Sequence, residues 1–269
     1  MLSILVLASY LASAAWVGSS VYRAQEHAAH GRRAAGLGLG FLAIVLHAVL
    51  LWRGLFGRDV ITFNAAETAS LIGLPIAIIA FVAAWVRPRF AGIAAALMVI
   101  AGLTAAPMLD SSGGYALERP GWETAAHIAL STLAYALLTI SVALAVALRL
   151  LDGRLRRRQP LGWLKILPSV EALEAGTFHA LAAGFAVLTL SLFSGFIFVE
   201  DLLAQHLWHK TVLSCLAWVV FGVVLFGRWR FGWRGRTATT WTLSGFALLG
   251  LAYFGSKLVL EALLGRHWG

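Results

Sequence analysis

The chain has 269 residues, 60% of them hydrophobic and only 12% charged, with a formal net charge of +9. Soluble domains carry roughly 25% charged residues, so this composition excludes an ordinary soluble domain. The single cysteine, Cys215, excludes an internal disulfide or thiolate cluster. The basic residues fall in short segments between apolar runs, which excludes a nucleic-acid-binding face.

The apolar runs are about 20 residues long, the length that crosses a hydrocarbon core of roughly 30 Å. Backbone polar groups find no water there, so each run must be a helix; the alternation of a membrane barrel is absent. In chain order the runs are 3–22, 37–56, 66–86, 90–107, 124–148, 176–199, 211–228 and 237–260. The expected architecture is therefore all-α, one integral membrane domain over 1–269 with about eight transmembrane helices. Ala12-Ser13-Ala14 has the form of a signal-peptidase site, but no Lys or Arg precedes the first run, so that helix is expected to be retained.

The charges alternate with the spans. Segments 23–36, 87–89, 149–165 and 228–236 hold fifteen of the 21 basic residues, all on one side if the spans alternate. The other side has Arg53, Arg58, Arg119, Lys210, Lys257 and Arg266 and most of the acids. Excess Lys and Arg marks the cytoplasmic face, so both termini are expected on the outer face of a bacterial inner membrane. The Arg-rich 149–165 segment is placed to meet anionic lipid head groups.

Ionisable groups within a membrane are costly and are functional candidates by default. His47 stands midway along the second run, in LAIVLHAVLLW. His127 stands near the outer end of the fifth, with Ser131 and Tyr135 one and two turns below it on the same face. His179 opens the sixth run at the cytoplasmic surface, where an imidazole can also snorkel to the interface. His206 and His209 lie three apart in an outer loop, His267 lies near the outer C-terminus, and His27 and His30 read as solvated surface. Neutral imidazole ligates zinc, copper, iron or nickel. There is no HExxH and no Cys-x-x-Cys-His, so a metalloprotease and self-attachment of haem are both excluded. Haem iron needs only one or two axial side chains, commonly His. No GxSxG elbow or Walker A loop is present. Lys257 and Glu261, four apart, are spaced to pair with each other.

Four segments resemble the cytochrome c assembly proteins of the CcsA/CcmC family. They are ITFNAAETASLIGL, with Asn64 and Glu67 at the matching polar positions; AAHIALSTLAYALLTISVALAVALRLL; LEAGTFHALAAGFAVLTLSLFSGF; and GWRGRTATTWTLSGFALLGLAYFGSKL. The eight-span, single-domain form is most similar to the YpjD-type inner-membrane proteins. The resemblance covers nearly the whole chain and is most specific over 124–260. It implies a protein that binds haem b and handles it for cytochrome c maturation, with His127 and His267 as outer axial ligands to the iron. It also suggests His47 and His179 for an inner site. The implied partners are the lipid bilayer, haem, and a partner membrane subunit or apocytochrome c. Where the family carries a tryptophan-rich outer segment, this chain reads EDLLAQHLWHKTVLSCLAW, keeping Trp208, Lys210 and Thr211. Haem handling is therefore expected, rather than enzymatic ligation of haem.

Two other readings stand beside this one. A membrane scaffold regulating haem synthesis, HemX-like, would act through the Arg-rich 149–165 segment. A small-ion transporter would use broken helices and mid-membrane charge, for which Pro75, Pro107 and Glu67 are the available residues; mid-span carboxylates are missing.

Overall fold

A computed structural model describes residues 1–22, 29–56, 61–63, 65–106, 115–117, 121–198 and 208–255. It is all-helical apart from one short strand pair, and seven of its helices are long and apolar enough to cross a membrane among the described residues. The protein is a polytopic helical membrane protein. The described chain divides into two compact units: Met1–Arg119 with Leu150–Leu173, and Pro120–Arg149 with Glu174–Gly269.

The N-terminal unit contains α1 (Leu2–Tyr22), α2 (Ala29–Phe56), α3 (Ala65–Val86) and α4 (Ala91–Ala105). α1 packs against α2 and α4, and α3 packs against α2 and α4, closing a four-helix ring. The seams use small residues because little hydrophobic drive separates helices from lipid, and close backbone approach supplies the attraction instead. A side chain at Gly36 would meet the Val17 backbone nitrogen at 2.9 Å, and one at Gly40 would meet Ser13 Oγ at 2.9 Å. Ser13 Oγ in turn donates to Gly36 O at 2.7 Å. Strands β1 (Ile61–Phe63) and β2 (Tyr115–Leu117) pair antiparallel, with Thr62 opposite Ala116. Sequence reading places both in loops, because three-residue strands carry no periodic signal.

The C-terminal unit contains most of α5 (Trp122–Arg156) and α6 (Val170–Phe198), with α7 (Trp208–Phe231) and α8 (Gly235–Gly250). Its core is built from Ala134 and Leu138, Leu181 and Leu188, Ala217, Phe221 and Val224, and Leu249. α5 and α6 run antiparallel in one register. Ser131 faces Ser191, Gly184 lies against Leu138, and Ser141 Oγ donates to Thr177 O at 3.0 Å. The α7–α8 turn is held by Arg228, which donates to Glu174 Oε1 at 2.7 Å and lies over the Phe178 ring at 4.6 Å.

Several expected boundaries move. α2 begins at Ala29 rather than 37, so Arg32 and Arg33 are helical. Arg33 donates to the terminal carbonyls of α3, Ala84 O at 2.6 Å and Trp85 O at 2.9 Å, which satisfies groups that a helix end leaves open. α5 extends to Arg156 and is about 52 Å long at 1.5 Å per residue, so part of the basic segment is a helical projection. The eighth run appears as α8 followed by a π-helical turn over Leu251–Gly255; residues 256–260 lie outside the described residues.

Candidate functional site

Among the described residues, two imidazoles stand inside the membrane-spanning helices with defined partners, one in each unit. In the N-terminal unit His47 is fully buried. Its Nδ1 lies 3.1 Å from the Tyr10 hydroxyl and its Nε2 lies 2.8 Å from Ser70 Oγ. The Tyr10 ring meets the imidazole edge-on at 5.7 Å. Either tautomer leaves both ring nitrogens engaged, because each hydroxyl can donate or accept. Glu67, one turn before Ser70 in the first turn of α3, is 1% exposed.

In the C-terminal unit His127 is only partly buried. Its Nδ1 lies 3.1 Å from Ser191 O and 3.0 Å from Ser194 Oγ. A carbonyl can only accept, so the contact with Ser191 O requires a proton on Nδ1. Ser194 Oγ donates its own hydrogen to Ser191 O at 2.8 Å, which leaves its lone pair to accept from Nδ1. Nε2 then carries a lone pair. Among the described residues it is approached by Ser131 Oγ at 3.4 Å, and that hydroxyl's better partners are His127 O at 2.7 Å and Ser191 Oγ at 2.7 Å. Gly195 lets the ring lie against α6: a Cβ there would stand 3.1 Å from His127 Cε1.

Two turns below His127, Tyr135 donates its hydroxyl to Leu249 O at 2.8 Å. Its ring meets Tyr253 edge-on at 6.3 Å, and Lys210 Nζ lies 5.9 Å from the centre of the Tyr253 ring. Tyr253 sits in the π-turn that follows α8. The face 127–131–135 read from helical spacing is therefore continued by Lys210 from α7 and Tyr253 from the π-turn. Sequence reasoning missed Ser191, Ser194 and Gly195, although the hydroxyl-rich SLFSGF at the end of an apolar helix was the available signal. It also missed Tyr10 and Ser70, because interhelical register leaves no trace in a one-dimensional pattern.

The donor chemistry at His127 fits an axial haem ligand. A metal-bound imidazole commonly donates its second N–H to a carbonyl or carboxylate, which fixes tautomer and ring orientation. The donor chemistry at His47 does not fit, since neither nitrogen has a free lone pair. His179 is exposed on α6. His267 and His206, together with Asn64, Lys257 and Glu261, lie outside the described residues. His30 and His209 lie in α2 and α7, but their side chains are outside those described. Among the described residues no three His, Cys, Asp or Glu side chains converge, whereas an axial haem site requires only one or two.

An all-helical polytopic membrane protein with an oriented imidazole on an inter-helix seam defines the class. The profile of the Cytochrome C assembly protein family matches residues 39–264, and the chain belongs to that family. It is 36% identical over 135 residues to the inner membrane protein YpjD of Escherichia coli (strain K12), covering 50% of this chain and 51% of that one. It is 37% identical over 148 residues to a 28.8 kDa protein encoded in a nifR3-like 5' region of Azospirillum brasilense, covering 54% and 55%. Cytochrome c biogenesis protein CcsA of Microcystis aeruginosa is 26% identical over 105 residues, covering 38% of this chain and 32% of that protein. The match thus spans about half the length of the first two relatives or less of the third. No solved structure matches.

Proposed function

We propose that this protein binds non-covalent, b-type haem at the outer face of the inner membrane and handles it for cytochrome c assembly. The observation that carries the reading is the tethering of His127 Nδ1 by Ser191 O and Ser194 Oγ, which leaves Nε2 as the ligating nitrogen. Family membership supports it. The distribution of Arg and Lys supports an orientation with both ends of the chain outside, which puts the His127 end of α5 at the outer face.

Haem, when bound, would supply a redox-active iron centre held by protein side chains. His127 would hold that iron, and by the family resemblance His267 would hold it as well. Ser191 and Ser194 hold the ring in one tautomer and one orientation. Tyr135 and Tyr253 give the seam below His127 an aromatic lining suited to a porphyrin edge. Lys210, near Tyr253, is a cation suited to a propionate. Release goes to a partner membrane subunit or to apocytochrome c.

The test is the absorbance of detergent-purified protein from haem-replete cells, oxidised and dithionite-reduced, with a pyridine haemochrome assay. A Soret band that disappears in His127→Ala is the expected result. A colourless wild-type protein, or a Soret band unchanged in His127→Ala, overturns the reading. In the colourless case the scaffold reading, acting through the Arg-rich 149–165 segment, takes its place.

A further inference from the structure

We infer that His47 is the structural hub of the N-terminal unit and not an iron ligand, so that the chain carries one haem, held through His127, rather than two. The stoichiometry rests on the function proposed above; the hub does not.

His47 draws partners from two other helices. Tyr10 comes from α1 and Ser70 from α3, and both are fully buried. On α2 itself, Ala43 and Leu51 lie one turn to either side of His47 and are also buried, so apolar packing seals the ring along its own helix. Tyr10 has little room to withdraw. A Cβ added at Gly102 of α4 would stand 3.1 Å from Tyr10 Cβ, so the tyrosine is already at close contact with that helix. Freeing Nδ1 would strand a buried phenol, and freeing Nε2 would strand a buried serine hydroxyl. Unsatisfied polar groups are costly in a membrane interior, where no water replaces the lost partner. A porphyrin is also far larger than the imidazole, and approaching either nitrogen it would have to displace the Tyr10 ring or the first turns of α3. Removing any one member of Tyr10–His47–Ser70 therefore strips the others of their purpose, which is the signature of a coupled network.

The inference is tested on the full-length protein in detergent with His47→Gln, Tyr10→Phe and Ser70→Ala. Haem per chain comes from the pyridine haemochrome assay, and thermal midpoints come from protein prepared with and without haem. Haem content stays at one per chain in all three variants. The thermal midpoint falls in each, and Tyr10→Phe lowers it in the native background but adds little in a His47→Gln background. A fall in haem per chain in His47→Gln overturns the inference, as does a rise to two haems in Tyr10→Phe, which frees Nδ1. Should His47→Gln fail to accumulate, Tyr10→Phe and Ser70→Ala decide the same question, because an iron-ligating His47 would show altered haem content when its partners are removed. Should the wild type hold no haem, the function proposed above fails while the hub is still decided by the haem-free midpoints. There, strictly additive losses of Tyr10→Phe and His47→Gln overturn it.

Discussion

The two units each place a histidine among helices, and they treat it in opposite ways. In the N-terminal unit, Tyr10 and Ser70 take both nitrogens of His47 and the ring has no exposed surface. In the C-terminal unit, Ser191 and Ser194 take one nitrogen of His127 and leave the other almost untouched. The same side chain thus serves as closure in one place and as a prepared donor in the other. The difference lies in what the neighbouring helix offers. α3 presents a hydroxyl to the second nitrogen of His47. α6 presents one carbonyl and one hydroxyl to one side of His127, with Gly195 giving the ring room to approach.

The largest effect that bears on this contrast is rescue by free imidazole. His127→Gly removes the donor but leaves its serine partners in place, so millimolar imidazole is expected to restore the Soret band. The matching His47→Gly is expected to keep its haem and to show no spectral response to imidazole. A spectrum restored by imidazole in His47→Gly, with no response in His127→Gly, would reverse the assignment of the two sites.

The next effect concerns the seams that hold the histidines in register. At Gly36, an added methyl would meet Val17 backbone nitrogen at 2.9 Å and Val17 Cγ2 at 2.8 Å; backbone cannot step aside, so Gly36→Ala should destabilise the protein by about 1–3 kcal/mol. At Gly222, the nearest atoms are in the Phe185 ring at 3.6 Å, an ordinary contact, and Gly222→Ala should be neutral or stabilising by up to about 1 kcal/mol through helix propensity. Thermal unfolding in detergent distinguishes the two, and equal losses at both positions would contradict the seam geometry.

How much of this contrast was legible in the sequence depends on distance along the chain. The helices were legible because hydropathy over 20 residues integrates a large signal, and the His127–Ser131–Tyr135 face was legible because a helix fixes i, i+4 neighbours. The helical state of Arg32 and Arg33 was not, because their charge reads as a loop until α3 is known to offer Ala84 O and Trp85 O to them. The β1–β2 pair, joining residues more than fifty positions apart, was invisible for the same reason. His47 was legible as a buried imidazole but not as a saturated one. Its partners Tyr10 and Ser70 lie 37 and 23 residues away, and each looked like an ordinary member of its own span.

A smaller effect is expected at Ser194. Ser194→Ala leaves the Ser191 carbonyl to hold Nδ1, so tautomer and haem binding survive. The ring loses one of two anchors. Outer-shell partners of metal ligands contribute about 10- to 100-fold in affinity when removed, and the low end, about tenfold, is expected with the carbonyl still present. Haem transfer to an apo-acceptor protein measures it, and Ser194→Thr, which keeps the hydroxyl, should restore most of the loss. An unchanged rate in Ser194→Ala would mean that the carbonyl alone orients the ring.

The smallest effect is the most discriminating, because the same deletion can be made beside each histidine. Ser131→Ala removes the hydroxyl nearest the free nitrogen of His127; Ser70→Ala removes the hydroxyl that closes His47. Ser131 spends its hydrogen bonding on its own helix carbonyl at 2.7 Å and on Ser191 Oγ at 2.7 Å rather than on the imidazole. Its loss costs the shared contact with Ser191, about 0.5–1.5 kcal/mol, against a gain of a few tenths from alanine's better helix propensity. The net change in stability is therefore about 1 kcal/mol or less, with haem affinity unchanged or slightly raised, since nothing then approaches Nε2. Ser70→Ala has no such compensation, because it orphans a nitrogen that is fully buried. It should lower the thermal midpoint more than Ser131→Ala while leaving haem content alone. If Ser131→Ala instead raises haem affinity tenfold or more, the 3.4 Å approach to Nε2 is a working hydrogen bond, and His127 would be as closed as His47.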